Sequence, residues 1–177
     1  MRLQRIKILL AGLALAASGQ AHEGLWSLGC KAQGAYDGEP GNDYFIGPEI
    51  GYSNYYLGAH RLHLKFSYLT SRLEQVFRPN ILRQDYFLFT PSWHFRRSRL
   101  FDPVVLADLG YYRYDVESEI FASLDNDSWI VAPQVGANFN FSQGQWGLFY
   151  HFGYHLILAK STMVYPGVFG LDLWMLL

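Results

Sequence analysis

The sequence contains a single cysteine, Cys30, in 177 residues, so the chain cannot form an internal disulfide or supply a cysteine cluster. Only 16% of the residues are charged, and their formal net charge is −1. No basic helix or basic stripe is present, which argues against a nucleic-acid partner. The sequence also lacks a P-loop and a dinucleotide-binding fingerprint, so we expect no cofactor.

Long apolar runs are also missing beyond the N-terminus, although 50% of the residues are hydrophobic and 18% are aromatic. A transmembrane helix needs about 18 or more consecutive apolar residues, so the sequence excludes a helical membrane protein. The mean hydropathy is near zero. Many aromatics combined with neutral hydropathy are typical of a transmembrane β-barrel, in which polar and apolar residues alternate.

The N-terminus has the features of a secretory signal peptide. Its basic residues are Arg2, Arg5 and Lys7. They precede an apolar segment, 8–17, that is too short to span a bilayer as a helix. Gly19 and Ala21 then supply a small-x-small cleavage site. The sequence therefore predicts a signal peptide at 1–21 and one mature domain at 22–177.

We expect the mature chain to begin at His22, because signal peptidase accepts small residues at the positions of Gly19 and Ala21. N-terminal sequencing of the protein isolated from membranes checks this. Retention of Met1, or acylation of Cys30 as in a lipoprotein, would contradict the prediction.

The clearest structural signal is the strict alternation of residues 145–156. One set is apolar or aromatic and consists of Trp146, Leu148, Tyr150, Phe152, Tyr154 and Leu156. The other set consists of Gly147, Phe149, His151, Gly153 and His155. Only an extended strand places two such sets on opposite faces. An aromatic face opposite a face with histidines and glycines predicts a strand with lipid outside and a polar lumen inside.

Segments of this kind recur along the mature chain. The predicted strands are 25–36, 44–52, 58–70, 85–95, 104–114, 129–141, 145–156 and a last strand that reaches residue 177. The connections after the first, third, fifth and seventh strands are longer than the other three, as in barrels with short periplasmic turns and longer external loops. The predicted fold class is therefore all-β, an eight-stranded antiparallel up-and-down transmembrane β-barrel.

Aromatic residues cluster at two levels of these strands. Those at the short-turn end are Trp26, Tyr52, Tyr55, Trp93, Phe95, Phe139, Phe141 and Trp146. Those at the long-loop end are Tyr36, Tyr44, Tyr68, Phe87, Tyr111, Trp129 and Tyr154. Two such girdles match the two interfaces of a bilayer.

With these features, the whole mature chain resembles the small eight-stranded outer-membrane barrels, the OmpA-transmembrane, OmpX and OmpW-like group. The resemblance implies a location in the outer membrane of a Gram-negative bacterium. It also implies contact with outer-membrane lipid and lipopolysaccharide, insertion by the barrel-assembly machinery, and external ligands bound through the long loops. Such proteins usually end in an aromatic residue that the assembly machinery reads, whereas this sequence ends Trp174-Met175-Leu176-Leu177.

The inward-facing residues define a candidate lumen network. Its predicted members are Glu49, Arg61, His63, Lys65, His94, Asp108, His151, His155 and Asp172. Eight strands enclose just enough room for side chains, so we expect these groups to satisfy one another. Counting residues from the turn centres predicts the pairs Glu49 with Arg61, Thr90 with Asp108, and His151 with Asp172.

Three functions are compatible with these residues. A plugged barrel with a structural or surface-interaction role is favoured, because small inward glycines leave room for bulky neighbours such as Tyr112 and Trp174. A narrow channel for small solutes is the alternative, since channels also have polar lumens. An enzyme acting on lipid A or phospholipid is the third.

The enzyme hypothesis rests on His151 and Asp172, because an aspartate-oriented histidine can activate a hydroxyl. The deacylase barrels that modify lipid A carry a lipid-facing His-x-Ser element, and this sequence has none. His151 and His155 would lie about 13 Å apart along a strand, which is too far to share a metal ion. The sequence therefore predicts no catalytic or metal site.

Overall fold

The computed structural model describes residues 25–36, 43–57, 60–71, 83–95, 100–115, 127–141, 146–158 and 163–177. The eight strands are β1 (Leu25–Tyr36), β2 (Asp43–Leu57), β3 (His60–Thr70), β4 (Arg83–Phe95), β5 (Phe101–Asp115), β6 (Asp127–Phe141), β7 (Trp146–Leu158) and β8 (Met163–Leu176). Each strand pairs antiparallel with the next and β1 pairs with β8, so the sheet closes into a barrel. The predicted fold class is confirmed. The predicted signal peptide lies outside the described residues.

Several strands are longer than their alternation alone predicted. β2 continues past Tyr52 to Leu57 through a register shift between Ser53 and Tyr55. The connection after β7, residues 159–162, is as short as the turn at 142–145, because β7 extends to Leu158. The prediction of a longer connection after the seventh strand is therefore wrong. In the part of the chain that the structure describes, no helix is long and apolar enough to cross a membrane.

Side chains alternate between an apolar exterior and a closed interior along the strands. On β6, Trp129 and Val135 are exposed, whereas Ile130 and Gln134 between them are buried. Charged and polar side chains fill much of the interior while large hydrophobic ones cover the outside. This arrangement is the reverse of a water-soluble protein, in which charged residues are rarely buried. The described barrel therefore has the surface of a protein that spans a membrane.

Both ends of the exterior carry paired aromatic rings. At the short-turn end the ring pairs are Trp26–Tyr52, Phe101–Phe139 and Phe141–Trp146, with centroids 5.1, 5.5 and 4.4 Å apart. At the long-loop end they are Tyr44–Phe169, Tyr68–Phe87 and Tyr111–Trp129, at 6.3, 5.1 and 5.8 Å. Their positions at the two rims match the girdles predicted from the sequence, apart from Tyr36 and Tyr55, whose side chains lie outside the described ones.

The interior is divided into layers along the barrel axis. An apolar cluster near the long-loop end consists of Phe45, Leu69, Tyr86, Leu88, Tyr112, Ile130, Ala132 and Val168. A second cluster near the short-turn end consists of Val104, Leu106, Phe149 and Trp174. Along β5 the inward order is Val104, Leu106, Asp108, Gly110 and Tyr112. A polar level therefore lies between two apolar ones.

Candidate functional site

The polar level contains one side chain from every strand, and we call this set the central layer. Its members, from β1 to β8, are Lys31, Glu49, Lys65, Thr90, Asp108, Gln134, His151 and Asp172. None of them is more than 3% exposed. Charged groups this far from water need partners, and the contacts within the layer supply them.

The Asp108 carboxylate is the centre of one half of the layer. Lys31 Nζ donates to both of its oxygens, at 2.8 and 2.9 Å. Thr90 Oγ1 donates to Oδ1, and Gln134 Nε2 donates to Oδ2 at 2.6 Å. The contact predicted between Thr90 and Asp108 is therefore present. Lys31 reaches across the lumen, because β1 and β5 lie on opposite sides of the eight-stranded ring.

The other half is built around the Lys65 ammonium and the Asp172 carboxylate. Lys65 Nζ lies 3.0 Å from Asp172 Oδ2, to which it donates, and 2.8 Å from Glu49 Oε1. The contact with Glu49 is an ion pair between two buried groups. His151 Nε2 lies 3.1 Å from the second oxygen of Asp172. Asp172 thus joins a lysine and a histidine.

Gln134 connects the two halves. Its amide nitrogen donates to Asp108, while its oxygen contacts His151 Nδ1. The chain of contacts then runs from Lys31 through Asp108, Gln134, His151, Asp172 and Lys65 to Glu49. The central layer is therefore one continuous network.

His151 and Asp172 touch although their predicted register is wrong by two residues. The backbone partner of His151 is Gly170, and that of Asp172 is Phe149. The His151 ring lies over Gly170, where an added Cβ would clash with the ring carbon Cε1. The absence of a side chain at this glycine gives the ring the space it needs to lie beside Asp172.

The predicted pair of Glu49 and Arg61 is wrong. Glu49 lies opposite Ser67, and Arg61 lies opposite Tyr56. The reason is the position of the β2–β3 turn, which the longer β2 moves to residues 58–59. Lys65, and not Arg61, is the cation that contacts Glu49.

Three other members of the predicted network lie closer to the short turns. The His63 and His94 rings stack with their centroids 4.1 Å apart and an interplanar angle of 21°. Ser92 Oγ is 3.2 Å from His94 Nε2, and Arg61 is half-buried opposite His94. These residues form a separate group on β3 and β4.

His155, the last predicted member, lies in the other direction, toward the long loops. Its ring faces the Tyr86 ring at 5.6 Å, beside the outer apolar cluster. Of the nine predicted residues, the structure therefore brings Glu49, Lys65, Asp108, His151 and Asp172 into one layer. Among the residues that the structure describes, no group of three or more His, Cys, Asp or Glu side chains is placed to hold a metal ion.

Sequence reasoning missed Lys31 and Gln134 as members of the network. Both occupy inward positions near the middle of their strands, and a mid-strand lysine on the lumen side was the available signal. Its partner could not be found by counting cross-strand neighbours, because Lys31 and Asp108 are on strands that do not touch.

Comparison with protein-family models gives no match, and comparison with curated proteins gives none either. Solved structures do match. Neisserial surface protein A is 12% identical with a TM-score of 0.54, over 86% of this chain and 96% of that one. The attachment invasion locus protein Ail of Yersinia pestis is 13% identical with a TM-score of 0.54, over 87% and 97%.

The N-terminal β-barrel domain of Pseudomonas aeruginosa OprF is 16% identical with a TM-score of 0.54, and the match covers 88% of this chain and all of that domain. The fold is that of a small outer-membrane β-barrel. The resemblance predicted from the sequence is therefore confirmed at the level of fold. Together with the apolar exterior, it supports the predicted location in the bacterial outer membrane.

Proposed function

We propose that this chain is an outer-membrane barrel with a closed lumen, whose role is structural or in interactions at the cell surface. The observation that carries the proposal is the central layer, in which all eight strands contribute a buried side chain. Lys31 spans the lumen to Asp108, and apolar clusters lie on both sides of the layer. A solute crossing the lumen would have to separate desolvated ion pairs, which is costly.

A surface role is supported by the kind of proteins that share the fold. One neighbour is named a surface protein, another an attachment invasion locus protein. Ail has also been solved with the heparin analogue sucrose octasulfate, at a TM-score of 0.50 to this chain. We propose that the long-loop end of this barrel likewise meets external ligands, while its exterior contacts outer-membrane lipid and lipopolysaccharide.

We propose that the His151–Asp172 pair has no catalytic role. Both side chains are fully buried, so a lipid substrate cannot reach them. The layer's one hydroxyl, on Thr90, is bonded to Asp108 and not to His151. A hydroxyl nucleophile would need to lie within hydrogen-bond reach of its base.

Single-channel recording in planar bilayers tests the closed lumen. We expect the wild-type protein to give no steady discrete openings, because a permeating ion would have to separate the buried ion pairs of the central layer. A double variant with Lys31→Ala and Asp108→Ala lacks the ion pair that spans the lumen. This variant, which has a wider interior, is the protein with which the wild type is compared. Protease protection in vesicles verifies insertion of both proteins. Steady openings of the inserted wild type would favour the narrow channel and overturn the proposal.

A further inference from the structure

On the part of the exterior that the structure describes, charged side chains are confined to one patch at the long-loop end. They are Asp85 on β4, Arg113 on β5 and Asp127 on β6. Arg113 is the direct cross-strand neighbour of Asp85 on one side and of Asp127 on the other. Arg113 and Asp127 are exposed, and Asp85 is half-buried. We call these three residues the rim patch.

A tyrosine of the aromatic girdle holds each aspartate of the rim patch. The Tyr68 hydroxyl donates to Asp85 Oδ1 at 2.8 Å. The Tyr111 hydroxyl donates to Asp127 in the same way. In both cases the tyrosine is on the preceding strand, and the aspartate lies one exterior position closer to the long loops. The repeated arrangement fixes a carboxylate on each side of Arg113.

An apolar groove lies next to the rim patch, on the side of the bilayer midplane. Its volume is about 580 Å³, and its exterior lining includes Phe66, Tyr68, Phe87, Leu109, Tyr111 and Trp129. Phe87, Tyr111 and Trp129 are the exterior residues that follow Asp85, Arg113 and Asp127 toward the midplane. Within the hydrocarbon layer no water is available to fill such a groove. This surface therefore fits an amphiphile with its headgroup at the rim patch and an acyl chain in the groove.

The charges of the rim patch decide which headgroup fits. A guanidinium matches the geometry of a phosphate and donates two parallel hydrogen bonds to it. Carboxylates on both sides of Arg113 would repel a bare phosphate, whereas a divalent cation can bind carboxylate and phosphate oxygens together. Neighbouring strands lie about 5 Å apart, so Arg113 and Asp127 can reach the same headgroup. The patch therefore suits a phosphate accompanied by a divalent cation.

We propose that the rim patch and the adjoining groove bind lipid A, the phosphorylated lipid anchor of lipopolysaccharide. Arg113 binds a lipid phosphate, and the exposed Asp127 carboxylate shares a Mg²⁺ ion with that phosphate. One acyl chain lies in the groove. This inference rests on the proposed contact between the exterior and lipopolysaccharide and gives that contact a place on the barrel. It does not require the lumen to be closed.

Native mass spectrometry of the refolded protein in detergent, with diphosphorylated lipid A and Mg²⁺, tests the site. We expect the wild type to retain lipid A and Arg113→Gln to bind it about tenfold more weakly, because a bidentate contact to phosphate is lost. Arg78→Gln is the control, since it removes the same charge from the connection between β3 and β4. It should bind lipid A as the wild type does. Unchanged binding by Arg113→Gln, or an equal loss in both variants, would overturn the proposal.

Removal of Mg²⁺ with EDTA provides a second readout. Wild-type binding should weaken about tenfold, because Asp127 then faces the phosphate without an intervening cation. Binding by Asp127→Asn should be insensitive to EDTA, since an uncharged amide neither holds the ion nor repels the phosphate. An equal effect of EDTA on both proteins would overturn the proposal.

Competition with phosphatidylethanolamine identifies the headgroup. This lipid carries its own ammonium group beside the phosphate and could match the rim patch without a metal ion. We expect an equal concentration of it to leave lipid A bound. Displacement would mean that the patch recognises a zwitterionic headgroup, and the lipid A site would be refuted. The lipid-facing exterior is tested separately by Val135→Arg and the closed lumen by single-channel recording, so this site can fail while both of them stand.

Discussion

Lys31→Met should destabilise the barrel by about 3–5 kcal/mol, because it leaves a buried carboxylate without its cation. Lys31 and Asp108 are 0% and 1% exposed, and their charged atoms are 2.8 Å apart. Methionine retains much of the volume of the lysine stem, so the loss comes mainly from the missing charge. Urea unfolding of the refolded protein in lipid vesicles measures it.

Cys30→Met is the matched control for this change. Cys30 is the neighbouring residue of β1 and is exposed to the exterior. Replacing it by another apolar side chain should leave stability within about 0.5 kcal/mol of the wild type, as for most surface substitutions. The control shows whether β1 tolerates methionine where no charge is lost.

Lys31→Met combined with Asp108→Leu should regain part of the loss, since removing both members of a buried ion pair removes the unpaired charge. The recovery should be incomplete, because Thr90 and Gln134 would lose their acceptor. If the stability losses of Lys31→Met and Asp108→Leu added up in the double variant, the two side chains would not be energetically coupled. The assignment of Lys31 to the central layer would then fail.

The strand faces could be predicted from the sequence because side chains in a strand alternate with period two. His151 and Asp172 were placed on the lumen side by this rule, and both are fully buried. The rule holds wherever a strand is continuous, even when its ends are uncertain by several residues. Lumen residues could therefore be identified before their contacts were known.

Register and long-range contacts were harder to predict. The alternation places the turn between β2 and β3 too early in the sequence, and it therefore predicts Arg61 in place of Lys65 as the partner of Glu49. The contact between Lys31 and Asp108 crosses the lumen between strands that are not neighbours. Such contacts depend on the closure of the barrel and on side-chain length. Counting the residues that face each other on neighbouring strands takes neither into account.

Val135→Arg should destabilise the barrel by about 2–4 kcal/mol, the cost of an arginine on the lipid face near the bilayer midplane. Val135 is 46% exposed on the exterior of β6, midway along the strand between Trp129 and Phe141. Both aromatics belong to the girdles, so Val135 lies at the depth where lipid provides neither water nor hydrogen-bond partners. Unfolding titrations in lipid vesicles measure the difference from the wild type.

Leu158→Arg is the control at a different depth. Leu158 is also exposed on the exterior, but it is the last residue of β7, at the rim of the barrel. An arginine there can extend its guanidinium to the interface, and the cost should be about 0–1 kcal/mol. A larger loss for Leu158→Arg than for Val135→Arg would mean that the membrane does not lie between the two girdles. Equal small losses would mean that the apolar exterior does not face lipid, and the membrane-spanning assignment of the barrel would then be wrong.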